Sequence, residues 1–481
     1  MEELRYAKTE SQKQYWQKLR PLNLATASDT YKRTMSGSSS LFADNKAIYY
    51  SAARKPLGES KEGKLIVAGI EKILYPWFSK PVTKEEVASA QNYFTKKAEV
   101  KKFPTNAWQQ VLENDGYLPI NIYGLPGGQT ILAKDGKHVP LMVVEGPGAI
   151  LSHIEAQLET IYAPIIQATK AKLFQEVVGS RFAEFGLRSE ELLINHPTLM
   201  MALKVGGNFT YTSDDQSVYL FDEFKDIGTL GHEFIMAYQK EGMSLEDAQR
   251  QAFEDFVKEN EKSALLADTI HTTKSGLKEV LKFVKENPQK FIGPRLDSGD
   301  VPSQAVKWKE MTLKQGIDKT WLVVEDGYAP TKAKETFEQY ELNGFDSNEI
   351  IVGAGGYFKD KCTRDEISLA YKRSATYHDG KMQPSLKFSD SKGKESIPGN
   401  IRLYERGDTL VVAQASEEID GKPLMQKLVE NGRILYDESL DDQNKRASET
   451  WNKYEKIEYS DLTQKLIDER WEEKESIVSK L

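Results

Sequence analysis

One stretch of the chain concentrates side chains able to do chemistry: Pro294-Arg-Leu-Asp-Ser-Gly-Asp300. A guanidinium and two carboxylates share a tight turn there. Asp297 and Asp300 could hold Mg²⁺ or accept hydrogen bonds from sugar hydroxyls, and Arg295 could grip an anionic or carbonyl group. A plainer account makes Asp300 the cap of a helix opening near Pro302. It leaves Arg295 and the second acid unexplained. Ile350-Ile-Val-Gly-Ala-Gly-Gly-Tyr357 follows an apolar run with glycines, and the backbone N–H groups of Gly355 and Gly356 suit a phosphate. The loop lacks the Lys-Ser/Thr of a P-loop and the G-x-G-x-x-G of a dinucleotide site, and a simple turn would look the same. Gly228-Thr-Leu-Gly-His-Glu-Phe234 offers His232 as a nucleophile or base, and no second histidine follows at zinc-protease spacing. A His capping a helix near Phe234 fits equally. The remaining histidines, at 138, 153, 196, 271 and 378, read as structural or exposed. In Phe182-Ala-Glu-Phe-Gly-Leu-Arg188, Phe185 could stack on a planar ring while Arg188 meets a charged or carbonyl group. Buried core aromatics are far commoner. Ser28-Asp-Thr-Tyr-Lys-Arg33 likewise offers Asp29 and Tyr31 beside a basic pair.

Something must bring these segments together. Four β-like runs end in polar or glycine-rich tips at residues 268, 297, 326 and 355, and each tip lies 29 residues beyond the last. That interval is one β-α-β step, and helix-period segments at 275–286, 303–315 and 330–341 fill the gaps. The tips, Asp268, Asp297, Asp326-Gly327 and Gly355-Gly356, then line one rim of a β/α barrel or an open doubly wound sheet. Segments 181–188, 206–214 and 226–232 extend the alternation irregularly, which favours a distorted barrel. Residues 84–100 and 149–176 read as helix, and 118–123 and 139–144 as strands. Beyond about 395 the alternation gives way to short strands at 401–404 and 409–413. An amphipathic helix carrying Leu462, Leu466, Ile467, Trp471 and Ile477 follows and should pack on the body. The expected organisation is an N-terminal α/β domain over 1–165, a barrel with the active site over 166–394, and a C-terminal segment over 395–481 that packs with the first.

Composition narrows the function class. The chain has 481 residues, room for two large domains or three ordinary ones. With 39% hydrophobic and 29% charged residues it is ordinary for a folded enzyme. Acids outnumber bases, 73 − 65 = 8, giving a net charge of −8. A nonspecific nucleic-acid or anionic-membrane binder would carry the opposite sign. Cys362 is the single cysteine, which excludes an internal disulfide and a zinc site built on several thiolates. No apolar run would span a bilayer, and the first residues are polar, without the apolar stretch of a secretory signal. Asn208-Phe-Thr210 fits a glycosylation acceptor, but nothing else suggests secretion. A cytoplasmic enzyme is the expectation.

Taken in order, these residues resemble the nicotinate phosphoribosyltransferase family and its relative, nicotinamide phosphoribosyltransferase. The resemblance runs from Ser28-Asp-Thr-Tyr-Lys32 through Val144-Glu-Gly-Pro147, Glu184-Phe-Gly-Leu-Arg188, Tyr211-Thr-Ser-Asp214, Gly228-Thr-Leu-Gly-His232, Ala267-Asp-Thr269, Arg295-Leu-Asp-Ser-Gly-Asp300 and Gly353-Ala-Gly-Gly356 to Lys387-Phe-Ser-Asp-Ser-Lys-Gly-Lys394. The Arg-x-Asp-Ser-Gly-Asp and Gly-Thr-x-x-His blocks are specific; the glycine loop is not. The fold it implies is an irregular β/α barrel of the type II phosphoribosyltransferase kind, joined to an α/β domain built from both chain ends. A homodimer with shared active sites is implied too. The implied reaction transfers ribose 5-phosphate from phosphoribosyl pyrophosphate to nicotinate. It gives nicotinate mononucleotide and pyrophosphate in NAD biosynthesis, with Mg²⁺ as cofactor and ATP as co-substrate.

The resemblance also assigns roles. Asp297 and Asp300 match ribose and Mg-pyrophosphate ligands, with Asp268 beside them. Gly355, Gly356, Asp326 and Gly327 match the 5′-phosphate cradle. Phe185 would stack on the pyridine, with Tyr31 lent by the partner subunit and Asp29 and Ser213 in the matched blocks. Arg295 would reach the ring carboxylate, with Arg188 in the Phe-Gly-x-Arg block. His232 matches the histidine phosphorylated from ATP. One departure stands out: Ser189-Glu-Glu191 follows Arg188 where nicotinate enzymes often have further arginine. Two acids there would oppose a carboxylate, and with the N-terminal segment near Asp115-Gly-Tyr-Leu-Pro-Ile120 they keep nicotinamide as the alternative base. The blocks at 228–232, 295–300 and 387–394 favour nicotinate. A barrel hydrolase would leave the glycine loop and His232 without a task, and a non-catalytic nucleotide-binding homologue would not need the intact blocks.

Overall fold

The structure, a computed structural model, describes residues 9–20, 23–60, 62–134, 136–388 and 395–480. The chain divides into two compact units. One comprises Ala171–Met200 and Gly207–Asp360; the other comprises Met1–Lys170, Met201–Gly206 and Lys361–Leu481.

The unit drawn from the interior of the sequence, called the inner unit for that reason alone, is a curled sheet of seven strands: β1 (Phe182–Glu184), β2 (Tyr211–Thr212), β3 (Lys225–Asp226), β4 (Lys262–Leu266), β5 (Phe291–Leu296), β6 (Leu322–Val324) and β7 (Ile350–Ala354). Their order is β3-β2-β1-β7-β6-β5-β4, and every neighbouring pair is parallel. The regularly spaced strands are therefore consecutive neighbours, as the 29-residue interval predicts. Helices Leu277–Glu286, Val301–Leu313 and Pro330–Leu342 make the crossovers. Each buries residues three or four apart: Leu277, Val280 and Phe283; Ala305, Trp308 and Thr312; Ala333, Phe337 and Tyr340. Proline in the first turn starts two of them without loss of a helical hydrogen bond.

No ladder joins β3 to β4 among the described residues, so the barrel is open on that side. The edge strand β3 and its neighbour β2 are two residues each, too short to hold a long ladder. Across the gap, Thr229, just after β3, donates its hydroxyl to the Ala264 carbonyl of β4 at 2.5 Å. Inside the curl is a cavity of about 330 Å³, lined among others by Phe182, Ile227, Ala264, Val323 and Ile351.

The other unit is an α/β domain made from both ends of the chain. Its main sheet is antiparallel, in the order Lys381–Pro384, Ala370–His378, Lys46–Ala52, Met142–Pro147, Asn121–Gly124, Gln426–Glu430, Arg433–Ile434. The strand Lys46–Ala52 thus lies beside a strand more than three hundred positions later, with Ala52 opposite Ala370. The helix expected over 149–176 is three helices, Gly148–His153, Glu155–Glu159 and Tyr162–Val178. Ile154 leaves helical geometry between the first two, and Pro164 falls in the first turn of the third, where proline is tolerated. The C-terminal helix Asp461–Val478 packs on its own unit, with Trp471 edge-on to Phe388 at 5.2 Å and Thr463 bonded by Gln414 at 3.1 Å. Among the described residues, no helix is long and apolar enough to cross a membrane. The polar first residues Met1–Lys8, and positions 389–394 of the Lys387–Lys394 block, lie outside the described residues.

Candidate active site

Parallel strands point their C-terminal ends one way, and in the inner unit those ends carry nearly every residue singled out in the sequence. Phe185 and Arg188 follow β1, Ser213 follows β2, His232 follows β3 and Asp268 follows β4. Arg295, Asp297 and Asp300 sit at β5, Asp326 and Gly327 after β6, Gly355 and Gly356 after β7. Asp29 and Tyr31 belong to the other unit, at the start of helix Thr30–Ser36, where Tyr31 is 53% exposed.

Arg295 is the hub of the rim. Its Nη2 donates to Asp297 Oδ2 at 3.0 Å and to Glu325 Oε2 at 2.9 Å, its Nη1 donates to the Leu230 carbonyl at 3.3 Å, and its guanidinium lies 6.0 Å from the centre of the Phe185 ring. Glu325, buried, is a partner that the sequence marks only as part of a strand tip. Burial raises its pKa above the ordinary carboxylate range, against the pull of Arg295 and Arg188. Burial also raises that of Asp297, where Arg295 opposes the shift and Asp268 adds to it.

A second cluster joins three strand ends. Asp268 Oδ2 accepts from the Ser298 hydroxyl at 2.5 Å, and Asp268 Oδ1 lies 3.7 Å from His232 Nε2. His232 Nδ1 meets Thr269 Oγ1 at 3.0 Å. His232 is therefore no helix cap: helix His232–Met236 starts on Gly231 without a side-chain cap, and the imidazole turns to the rim instead. Asp300 does cap, accepting from Ser303 N at 3.2 Å, so the plainer account of that residue also holds. His271 accepts from Lys274 N at the head of a turn, a structural task.

Three buried polar atoms at this rim have no hydrogen-bond partner: Arg295 Nε, Glu325 Oε1 and Asp268 Oδ1. Such atoms are rare in folded proteins and mark where a ligand or water belongs. No ready cluster of three or more metal ligands exists among the described residues. Mg²⁺ does not require one, since it takes one or two carboxylates and fills its shell with water and phosphate oxygens. Asp268 and Asp297, close enough to repel each other, fit that demand.

The glycine loop is held from behind. A Cβ on Gly355 would lie 2.2 Å from the Gly186 Cα, so the loops after β7 and β1 touch backbone to backbone. Phe185 N also donates to the Ala354 carbonyl at 3.1 Å. Gly327 and Gly356, by contrast, face open space. Asp326 takes a left-handed φ of 84°, which aspartate tolerates, and Lys332 donates to its carboxylate at 3.2 Å.

The acids after Arg188 do not both face the rim. Glu190 Oε1 turns to Lys359 Nζ at 3.2 Å and His196 Nδ1 at 3.5 Å, and these cations pull its pKa down against burial. Nothing in the sequence pairs Glu190 with a lysine so far along the chain.

This fold is that of the type II phosphoribosyltransferases. It is similar to the crystal structure of human nicotinic acid phosphoribosyltransferase, with a TM-score of 0.68 over 92% of this chain and 99% of that one at 17% identity. It is also similar to a nicotinate-nucleotide pyrophosphorylase from Pyrococcus furiosus, with a TM-score of 0.63 over 88% and 94% of the two chains at 17% identity. Residues 181–418 match the model of the nicotinate phosphoribosyltransferase (NAPRTase) family. The curated nicotinate phosphoribosyltransferase of Bacillus subtilis is 26% identical over 328 residues, 67% of this chain and 60% of that protein. Nicotinate phosphoribosyltransferase 2 of Pseudomonas aeruginosa is 32% identical over 231 residues, 46% of this chain and 54% of that protein. The matches thus span little more than half the length of these curated relatives.

Proposed function

We propose that the protein joins nicotinate to the ribose 5-phosphate of phosphoribosyl pyrophosphate, releasing pyrophosphate and forming nicotinate mononucleotide, with ATP hydrolysis coupled to the transfer. The observation that carries this reading is Arg295, a guanidinium with a free buried Nε beside the Phe185 ring, flanked by the carboxylates of Asp297 on its own strand end and Glu325 on the neighbouring one. The family-model match over residues 181–418 and the names of the curated relatives agree with it.

In the reaction the C1′–oxygen bond to pyrophosphate breaks, the leaving oxygen keeps the electron pair, and the pyridine nitrogen supplies the pair for the new bond to C1′. Phe185 offers a face for the ring, and Arg295 and Arg188 meet its carboxylate. Asp297 and Asp300 orient the ribose hydroxyls and, with Asp268, offer oxygens to Mg²⁺. When bound, Mg²⁺ supplies charge compensation for the departing pyrophosphate. Gly327 and Gly356, open and bare, present backbone N–H groups to the 5′-phosphate. His232 Nε2, beyond hydrogen-bond reach of Asp268, takes the γ-phosphoryl group of ATP as ADP leaves, and water then cleaves the N–P bond, releasing inorganic phosphate and restoring the imidazole. Tyr31 and Asp29 are supplied by the second subunit of a homodimer.

The test is single-turnover product formation with phosphoribosyl pyrophosphate and Mg²⁺, offering nicotinate and nicotinamide in equal amounts, with and without ATP. Nicotinate mononucleotide as the main product, increased by ATP, is the expected result. Nicotinamide mononucleotide would move the chain to the sister activity, and no nucleotide from either base would overturn both.

A further inference from the structure

Behind the Phe185–Arg188 loop lies a charged network that the reaction does not use directly. Glu184 and His196 are both fully buried, an expensive place for charge unless each is paired. Glu184 Oε2 accepts from His196 Nε2 at 2.9 Å and from the Thr212 hydroxyl at 3.0 Å, while Glu184 Oε1 accepts from Gly186 N at 2.5 Å. The other imidazole nitrogen faces Glu190 at 3.5 Å. With a carboxylate at each nitrogen, His196 is held as the cation, its pKa pushed up to about 9 despite burial. Lys359, five residues past the Gly353-Ala354 end of β7, bonds Glu190 at 3.2 Å and donates to the Gly186 carbonyl at 2.5 Å. Two acids and two bases therefore cancel, and both main-chain polar groups of Gly186 are held by them.

This arrangement answers the objection raised by Ser189-Glu-Glu191. An uncompensated carboxylate two residues from Arg188 would repel an anionic ring and leave a neutral one indifferent. We propose that Lys359, acting through Glu190 and the Gly186 carbonyl, is a specificity-determining positioning residue that lets this rim accept an anionic pyridine. The inference rests on the reading of the rim as a nicotinate site. Lys359 touches no reacting atom. Its contribution is electrostatic as well as steric, and the two parts are separable.

The measurement is equilibrium binding of nicotinate and of nicotinamide by calorimetry, together with KM and kcat for each base. It is made on the full-length protein and on Lys359→Met, Glu190→Gln and the double variant. Lys359→Met weakens nicotinate about tenfold, the effect of one bare charge at partial burial, and leaves nicotinamide within about twofold. Adding Glu190→Gln restores most of the nicotinate affinity. Equal losses for both bases, or no restoration in the double variant, would show a merely structural role and overturn the inference. Should Lys359→Met fail to fold, Glu190→Gln alone decides: nicotinate affinity does not fall if the acid only opposes the anion, and a fall refutes the proposal. Wild-type protein that binds nicotinate without turnover would sink the reaction and leave this comparison standing. Wild-type protein that binds neither base would sink the site reading and this inference with it.

Discussion

At the scale of single residues, the site is a set of strand-end side chains backed by buried partners. The ends were legible in the sequence because Arg295, Asp297, His232 and Phe185 have distinctive chemistry and sit where a strand should stop. The partners were not. Glu325 stood in a tip without a task, and Lys359, Glu184 and His196 act through contacts that only the folded sheet makes. His232 gives the sharpest residue-level test. Its side chain is 45% exposed, and its contacts are Thr269 and Asp268, so His232→Asn should alter stability by no more than about 0.5 kcal/mol. The same variant should lose the increase in product that ATP brings, and should no longer take up label from γ-phosphate-labelled ATP. Thermal unfolding and the two assays on one preparation check both halves.

At the scale of elements, spacing was the reliable signal. Regular intervals located β4 to β7 and the helices between them, because each strand–helix unit repeats the same packing problem. The strands β2 and β3 are two residues long, below what periodicity can register, and the open side of the barrel follows from them. The contact between the loops after β1 and β7 was equally invisible, since the glycines look like any turn. It predicts a contrast. Gly355→Ala drives a methyl into the Gly186 backbone and should cost about 1–3 kcal/mol while raising KM for both substrates. Gly356→Ala meets nothing within 4 Å and should leave stability within about 0.5 kcal/mol, yet weaken phosphoribosyl pyrophosphate. Paired denaturation curves and kinetics on the two alanine variants separate packing from binding.

At the scale of the whole molecule, the two units carry different titration devices. In the inner unit His196 titrates at about 9, above its ordinary value of 6.5. The stability it confers is complete below the ordinary value and is lost as pH rises through about 9. In the other unit His138 and His153 are buried neutral, their pKa values driven down to about 4 by burial, so their contribution holds above 6.5 and is lost as pH falls through about 4. Glu71 there is buried with a pKa raised to about 7, and its contribution is lost as pH rises through that value. The expectation is that acid weakens the unit built from both chain ends, through His138 and His153, and that alkali weakens both units, through Glu71 there and His196 in the other. Hydrogen exchange at acid, neutral and alkaline pH reads each unit's peptides separately. A single transition equally sensitive at both extremes would contradict it.

The pairing of Lys46–Ala52 with Ala370–His378 has a consequence for how the protein comes into being. A ribosome delivers the first of these strands early and its neighbour only after the whole inner sheet has been made. The inner unit, complete by Asp360, can fold on the emerging chain, while the earlier strand waits with an unsatisfied edge. Translation thus completes the unit from the middle of the sequence before the unit that holds the chain's first strands, and the nascent N-terminal segment is the part left open to chaperones.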